Sequence, residues 1–501
     1  MPHLMINKQP VEAEAGTTLL HLARELGIEI PTLCYWDGIP PMNSCMLCVV
    51  RDVRTGQLVP ACSTAVQEGM EIETDSGDVS DARKHVLELI VSEHLGDCEG
   101  PCSQTCPAAM NIPQMMRQVY SGDLEGAGRT VTLALVFPWT LGHVCLAPCQ
   151  NVCRRKQQDG PMHIRDMHKD IAAQGLCDAP ELLDCLPDTG KSVAVVGAGL
   201  AGMAAAWVLR KWGHACTVFE KEAAAGGKLR QLPESELPTA VLDAEIARIE
   251  RLGVEFRCEI EVSGEMFSAM RPQYDGLVLA CTGVAEPDAN VFSAKEHKLP
   301  VRAVGNGKTA AQLLDRYLRE RSGPEKPLFR SRMGRLDEAQ LEVLRTENEV
   351  RQVVPLPGQD AELNDSQEEA GRCLRCDCRK RDTCRLRKWA TEYGVEMRKF
   401  SGVESPEFRI IGREGDVVLE PGKCIKCGLC VEIARKYGED IGLTFVGRGF
   451  GMEIQVPFGE TLERGIKASA AECIAACPTA AIAWRHDVQA NQWHTTSWTE
   501  L

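Results

Sequence analysis

The sequence predicts a multidomain chain of mixed α+β and α/β class, organised around metal-binding thiols. Three observations carry that expectation. The chain has 501 residues, which at roughly 100–200 residues per domain is about three to five domains. It holds 24 cysteines against 11 histidines, and the cysteines fall in groups. Between the groups, Ser192-Val193-Ala194-Val195-Val196 runs into Gly197-Ala198-Gly199-Leu200-Ala201-Gly202. That is a β-branched strand, a glycine turn and an alanine-rich helix, the opening of a βαβ unit.

Composition removes several classes. A disulfide scaffold is normally a short secreted chain. Here the first residues, Met1-Pro2-His3-Leu4-Met5-Ile6-Asn7-Lys8, lack the basic stretch, apolar core and cleavage site of a signal peptide. No window approaches 18 uninterrupted apolar residues. The expectation is a cytoplasmic chain with no membrane span, whose cysteines are reduced thiols in metal-binding groups. A net charge of −15, from 56 basic and 71 acidic residues, argues against nucleic acid as a partner. No internal repeat of fixed period is present.

The first group is Cys34, Cys45, Cys48 and Cys62, four thiolates that close one site. Ten residues separate the first two, against four in plant-type ferredoxins. Zinc is the alternative, although zinc sites favour two tight Cys pairs and this group has one. Ile30-Pro31-Thr32-Leu33-Cys34-Tyr35 and Asn43-Ser44-Cys45-Met46-Leu47-Cys48 resemble the N-terminal domain of the large iron–sulfur subunit of complex I and of iron-only hydrogenases. Ser44 and Met46 stand where that family carries Gly and Arg. The resemblance implies a β-grasp ferredoxin domain over 1–80 with one [2Fe-2S] cluster.

The next two groups are His94, Cys98, Cys102 and Cys106-Pro107, then Cys145, Cys149 and Cys153. With Ile112-Pro113, Gly122-Asp123-Leu124 and Gly160-Pro161-Met162-His163-Ile164, they resemble the N-terminal helical domain of the glutamate synthase small subunit and of dihydropyrimidine dehydrogenase. The resemblance implies a helical domain over 81–185 with two interleaved [4Fe-4S] clusters. One takes Cys98, Cys102 and Cys153 with His94; the other takes Cys106, Cys145 and Cys149 with His168. A lone histidine is more often a core or surface residue than a ligand, and that reading stays open for both.

The strand Ser192–Val196, the glycines Gly197, Gly199 and Gly202, and Glu220 at the end of the next strand form a full dinucleotide context. Gly226-Gly227-Lys228-Leu229 and the stretch Tyr274 to Thr282-Gly283 resemble the FAD half of the glutamate synthase small subunit. The resemblance implies a Rossmann-type FAD domain over 186–320, with Lys228, Thr282, Gly283 and Glu296 in its cofactor site. Two departures stand out. The inserted NADPH domain of that family is missing, so no nicotinamide site is expected on this chain. Lys295-Glu296 also replaces a Gly-Asp pair that contacts the flavin, and a Rossmann shell kept only to hold its neighbours is the alternative.

A linker is expected over 321–371, with one amphipathic helix near 337–352. Cys373, Cys376, Cys378 and Cys384 follow within a segment over 372–405, with a [4Fe-4S] cluster or zinc as the readings. Eight bases flank them: Arg372, Arg375, Arg379, Lys380, Arg381, Arg385, Arg387 and Lys388. Offsetting cluster charge, docking an acidic partner or forming a solvated face are the alternatives. Over 406–501, Cys424, Cys427, Cys430 and the later Cys477-Pro478 have the spacing of a bacterial [4Fe-4S] ferredoxin stretched by an insertion. Cys177, Cys185, Cys216, Cys258, Cys281 and Cys473 are left over, as small buried hydrophobes.

One [2Fe-2S] cluster, four [4Fe-4S] clusters and FAD make a wire rather than an active site. No nucleophile arrangement or carboxylate pair is identifiable. The expected function is the electron-transfer subunit of a multi-subunit NAD(P)H-linked oxidoreductase. Its partners would be an NAD(P)H-oxidising flavoprotein subunit and a hydrogenase-like or formate dehydrogenase-like subunit, with ferredoxin as a further partner. A self-contained flavoenzyme acting on a small donor or acceptor is the rival.

Overall fold

A computed structural model describes residues 1–281, 287–321, 326–347, 363–400, 407–412 and 415–485. The chain forms two compact units, each assembled from separated stretches. Unit 1 takes 1–99, 325–347 and 377–488, and unit 2 takes 100–324, 348–376 and 489–501.

Unit 1 begins with a five-stranded mixed sheet in the order Gln9–Glu12, His3–Ile6, Glu71–Glu73, Val49–Asp52, Gln57–Pro60. His3–Ile6 runs parallel to Glu71–Glu73, with Met5 opposite Glu71, and the other neighbours are antiparallel. Leu4, Ile6, Val50 and Ile72 are buried from alternate strand positions. They face the helix Leu19–Glu25, whose first turn is capped by Thr18 accepting from the His21 N–H. The second half of the unit pairs Val417–Leu419 with Ile482–Trp484 and adds the helices Leu429–Tyr437 and Ala470–Ala476.

The stretch after 325, expected as linker, is packed. Phe329, Leu336, Leu341 and Leu344 are buried, and Phe329 shares a core with Leu87, Leu386 and Trp389. Its helix spans Glu338–Glu347; the rest of the expected helix lies outside the described residues.

Unit 2 packs the helices Ile112–Ser121, Leu124–Leu135, Pro138–Val144 and Ile164–Ala173 in one core with a parallel sheet and its helices. The strand order is Val291–Ser293, Gly276–Leu279, Ser192–Val196, Ala215–Phe219, Glu255–Arg257, every neighbour parallel. The apolar run Val193–Val196 is buried on both faces, as a central parallel strand requires. The helices Leu200–Lys211 and Pro300–Leu318 lie against each other. Val304, Gly307, Ala311 and Leu314 form a buried stripe at helical spacing on the second.

Gly307 sets how closely those two helices approach. A Cβ there would stand 2.1 Å from the Ala201 carbonyl oxygen. Gly307→Ala forces the helices apart and is expected to destabilise unit 2 by about 1–3 kcal/mol. The measurement is a lower urea midpoint at unchanged m-value.

Candidate iron–sulfur centres

In unit 1, Cys34, Cys45, Cys48 and Cys62 are all buried. They interact as two pairs. Proton sharing with Cys45 lowers Cys34 and raises Cys45, and the same sharing lowers Cys48 and raises Cys62. The Cys45 N–H points at the Cys34 sulfur at 3.4 Å, and Cys62 Sγ lies 3.1 Å from Asn43 Oδ1.

Cys424, Cys427, Cys430 and Cys477 line one cavity, closed by Leu419, Ile454 and Ile482. The pairing of Val417–Leu419 with Ile482–Trp484 positions both ends of this set. Thr479 Oγ1 donates to the Lys423 carbonyl at 2.9 Å, tying the Cys477 turn to the Cys424 loop. Burial pushes Cys424 up to about 11.

The third group of unit 1 differs from the set expected from sequence. Cys98 gathers with Cys378 and Cys384: the Cys378 N–H reaches the Cys98 carbonyl at 3.4 Å, and both Cys378 and Cys98 act on Cys384. His94 joins them through shared neighbours, since the Lys423–Glu420 pair (2.6 Å, both nearly fully buried) acts on His94 and on Cys378. Burial, then Lys423, holds His94 down to about 4. Its Nδ1 is buried without a hydrogen-bond partner. A neutral imidazole with an unengaged ring nitrogen is the form that binds metal. Ser331 N–H donates to Cys98 Sγ at 3.3 Å and Arg387 N–H to Cys384 Sγ at 3.4 Å.

In unit 2, Cys102, Cys153, Cys373 and Cys376 line one cavity with Arg154. After burial, the strongest influences raising Cys102 are the thiols of Cys373, Cys153 and Cys376. Cys106, Cys145 and Cys149 form the other set, burial and the two neighbouring thiols raising Cys149. His168 is buried on the adjacent helix Ile164–Ala173. It is held down to about 4 by burial, and its Nδ1 lies 3.0 Å from the Pro138 carbonyl. That contact fixes the proton on Nδ1 and leaves Nε2 for a ligand.

The groupings drawn from sequence are therefore corrected within each unit: in unit 2, Cys102 and Cys153 gather with Cys373 and Cys376, and in unit 1, Cys98 gathers with Cys378 and Cys384. Sequence spacing reports which cysteines are close along the chain. A cubane takes its fourth ligand from wherever the fold delivers it. Among the described residues no three His, Cys, Asp or Glu side chains meet as around a single metal ion, and a cubane keeps its thiolates farther apart than one ion does.

Of the eight bases, Arg372 and Arg387 are buried, Lys388 is exposed and the others are half-buried. Arg387 pairs with buried Glu99, Arg379 with Glu420, and buried Arg372 with Glu369 at 2.5 Å. Lys380 Nζ donates to the Cys477 carbonyl at 3.0 Å, and Arg375 lies over the Tyr120 ring. Lys388 is exposed and pairs with Glu29. Of the six leftover thiols, Cys177, Cys216 and Cys473 are buried as expected. Cys185 and Cys258 are only half-buried and Cys281 is exposed, a correction that alternating core positions cannot foresee at loop and strand ends.

Sequence reasoning missed the strained turns. Met46, Ala109, Ala147, Arg375 and Lys426 all have φ between 47° and 58°, a region non-glycine residues seldom occupy. Each lies in or directly after a cysteine loop, where such strain concentrates. In three of these loops a backbone N–H two residues on points at the cysteine sulfur: Leu47 at Cys45, Ala147 at Cys145 and Lys426 at Cys424, at 3.3–3.5 Å. Such contacts stabilise negative charge on sulfur and set cluster potentials.

Gly197 and Gly202 make the tight turn expected of them; a Cβ on Gly202 would lie 2.0 Å from the Gly197 carbonyl oxygen. Glu220 reaches back to the turn, and Lys228 is an exposed base acting on Glu296. Thr282 and Gly283 lie outside the described residues. Glu296 Oε1 accepts from the Ala201 N–H at 3.0 Å, at the start of the helix Leu200–Lys211, the end of a Rossmann helix that receives a pyrophosphate in dinucleotide-binding folds.

The comparisons with known proteins place iron–sulfur cluster domains in the chain. Residues 2–77 match the 2Fe-2S iron–sulfur cluster binding domain, 93–176 the 4Fe-4S cluster domain II of dihydropyrimidine dehydrogenase, and 195–244 an NAD(P)-binding Rossmann-like domain. The chain is 33% identical over 190 residues to the NAD-dependent dihydropyrimidine dehydrogenase subunit PreT of Escherichia coli (strain K12), covering 37% of this chain and 46% of that one. It is 40% identical over 98 residues to an NADH-quinone oxidoreductase subunit of Rhizobium meliloti (strain 1021), 20% of this chain and 12% of that one. To the glutamate synthase [NADPH] small chain of Bacillus subtilis (strain 168) it is 29% identical over 197 residues, 38% and 40% of the two chains. The chain thus spans less than half the length of these relatives. Among the described residues no helix is long and apolar enough to cross a membrane.

Arg385 stands between two of the centres. Its guanidinium donates to the Tyr35 carbonyl at 3.2 Å and to the Ala476 carbonyl, and lies over Trp36. Its charge acts on Cys427, Cys477 and Cys45. Arg385→Gln is expected to lower the midpoint potentials of both centres by about 50–100 mV, where 59 mV is about 1.4 kcal/mol for one electron. Arg385→Lys retains most of the original values. EPR-monitored redox titration measures both, and unshifted potentials would remove Arg385 from this role.

Proposed function

We propose that the chain is the electron-transfer subunit of a multi-subunit NAD(P)H-linked oxidoreductase, relaying electrons between partner subunits through five iron–sulfur clusters. The carrying observation is that the thiol groups of unit 1 are wired loop to loop. Ser44 Oγ, beside Cys45, donates to the Cys427 carbonyl at 3.1 Å. Cys384 Sγ lies 3.6 Å from the Pro478 carbonyl, beside Cys477. Adjacent ligand loops joined by hydrogen bonds suit electron passage, not substrate binding.

Five ligand sets follow. Cys34, Cys45, Cys48 and Cys62 hold a [2Fe-2S] cluster. Four [4Fe-4S] clusters fall to His94, Cys98, Cys378 and Cys384; to Cys424, Cys427, Cys430 and Cys477; to Cys102, Cys153, Cys373 and Cys376; and to Cys106, Cys145, Cys149 and His168. Most of these buried thiols are raised by desolvation, so they ionise only against positive charge placed among them. Iron supplies it. Nicotinamide oxidation and the terminal chemistry belong to partner subunits of flavoprotein and of hydrogenase-like or formate dehydrogenase-like kind, with ferredoxin as a further carrier.

Anaerobically prepared protein is expected to contain about eighteen iron and eighteen sulfide per chain, two from the [2Fe-2S] cluster and four from each cubane. His94→Cys replaces imidazole by thiolate and lowers one cluster potential while iron content holds. The isolated chain is expected to transfer electrons from dithionite to an acceptor dye but not to oxidise NADPH. NADPH oxidation by the chain alone would overturn the relay reading.

A further inference from the structure

The dinucleotide turn of unit 2 already contains an anion, and that anion belongs to the chain. In a Rossmann fold the middle glycine admits the pyrophosphate and the helix N-terminus receives its charge. Here the helix Leu200–Lys211 begins after Gly199 with no side-chain cap of its own. The Ala201 N–H donates to Glu296 Oε1 at 3.0 Å. A Cβ placed on Gly199 would lie 2.3 Å from that same oxygen. The room the glycine leaves is therefore filled by a carboxylate.

Glu296 is an exposed residue; desolvation pushes its carboxyl up, and the Ala201 amide and Lys228 oppose this. On the ribose side Glu220 is turned inward, its two oxygens accepting from the Ala198 N–H at 2.7 Å and the Glu222 N–H at 3.1 Å. Gly226 N–H bonds the Ala198 carbonyl at 2.9 Å, and a Cβ on Gly227 would stand 3.2 Å from the Gly199 Cα. Gly226-Gly227 thus packs against the backbone of Ala198 and Gly199.

The same module has a second attachment, to the loop after Cys106. On the helix Pro300–Leu318, Lys308 Nζ donates to the Ala108 carbonyl at 2.8 Å and the Ala134 carbonyl at 3.0 Å. Gly305 lies so near the loop that a Cβ would be 2.3 Å from the Pro107 oxygen. Pro107 and Ala108 directly follow Cys106. The last Rossmann helix therefore grips the loop that carries one thiol of the Cys106, Cys145 and Cys149 set.

We propose that Glu296 closes this Rossmann fold to dinucleotides by placing its carboxylate where the pyrophosphate would bind, and that the fold serves instead as the frame of the Cys106 loop. This goes beyond the relay reading and does not rest on it. The test uses the full chain with its clusters, incubated anaerobically with excess FAD, desalted and assayed for released flavin, alongside Glu296→Gly and Glu296→Gln. The expected result is less than a tenth of a flavin per wild-type chain, near one per Glu296→Gly chain and an intermediate value for Glu296→Gln, at equal iron content. Should Glu296→Gly lose iron, Glu296→Gln alone carries the comparison. Stoichiometric flavin on the wild-type chain overturns the proposal. So does failure of every variant that keeps its iron to gain any, since Glu296 is then not the barrier.

Discussion

The constraint on which the rest of the structure depends is the burial of sulfur that must carry negative charge. A thiolate removed from water is costly unless positive charge or oriented dipoles stand close by. This chain supplies both from its own interior. Lys423, beside His94, Cys98 and Cys378, is fixed by Glu420, which is fixed in turn by Arg379. Arg387 acts on Cys98 and is paired with Glu99, which also takes Arg330. A single buried charge in such a place would be expensive; a closed network of acids and bases is tolerable. An acidic chain with a basic run at 372–388 is the sequence trace of that requirement.

A second consequence is that each unit is stitched from distant stretches. Cys98 meets Cys378 and Cys384 across nearly three hundred residues, and Cys102 meets Cys153, Cys373 and Cys376. Loops of that length close only when the contacts they enable outweigh the entropy of closure. Metal binding to a site absent from the unfolded chain adds its free energy to folding. The residues between 326 and 347 fit this pattern: Phe329 joins the core and Ser331 offers an amide to the Cys98 sulfur, so a segment that reads as a connector packs against a thiol group.

Much of the layout was legible because it depends on local pattern. The strand Ser192–Val196, the glycine turn and the helix after it follow from β-branching, φ requirements and alanine content. The tight Cys-x-x-Cys loops identify themselves by spacing. His94 and His168 stand out in the sequence because each falls where a cysteine group runs one ligand short. The role of the basic run was not legible, because a charge in sequence carries no sign of what lies opposite. Nor were the left-handed residues at Met46, Ala147 and Lys426, since nothing in an alanine or a lysine announces that its loop will force φ positive.

Sequence alone determined which residues can ligate and which stretches form strand, turn and helix, because residue chemistry and backbone propensity act over a few positions. Tertiary structure decided which thiols gather, bringing Cys373 and Cys376 to Cys102 and Cys153 within unit 2 and Cys378 and Cys384 to Cys98 within unit 1. It decided, too, that Glu296 reaches the phosphate end of the dinucleotide turn. Both are matters of approach in space between groups far apart in the chain. Charge and packing select those approaches only after the core has formed.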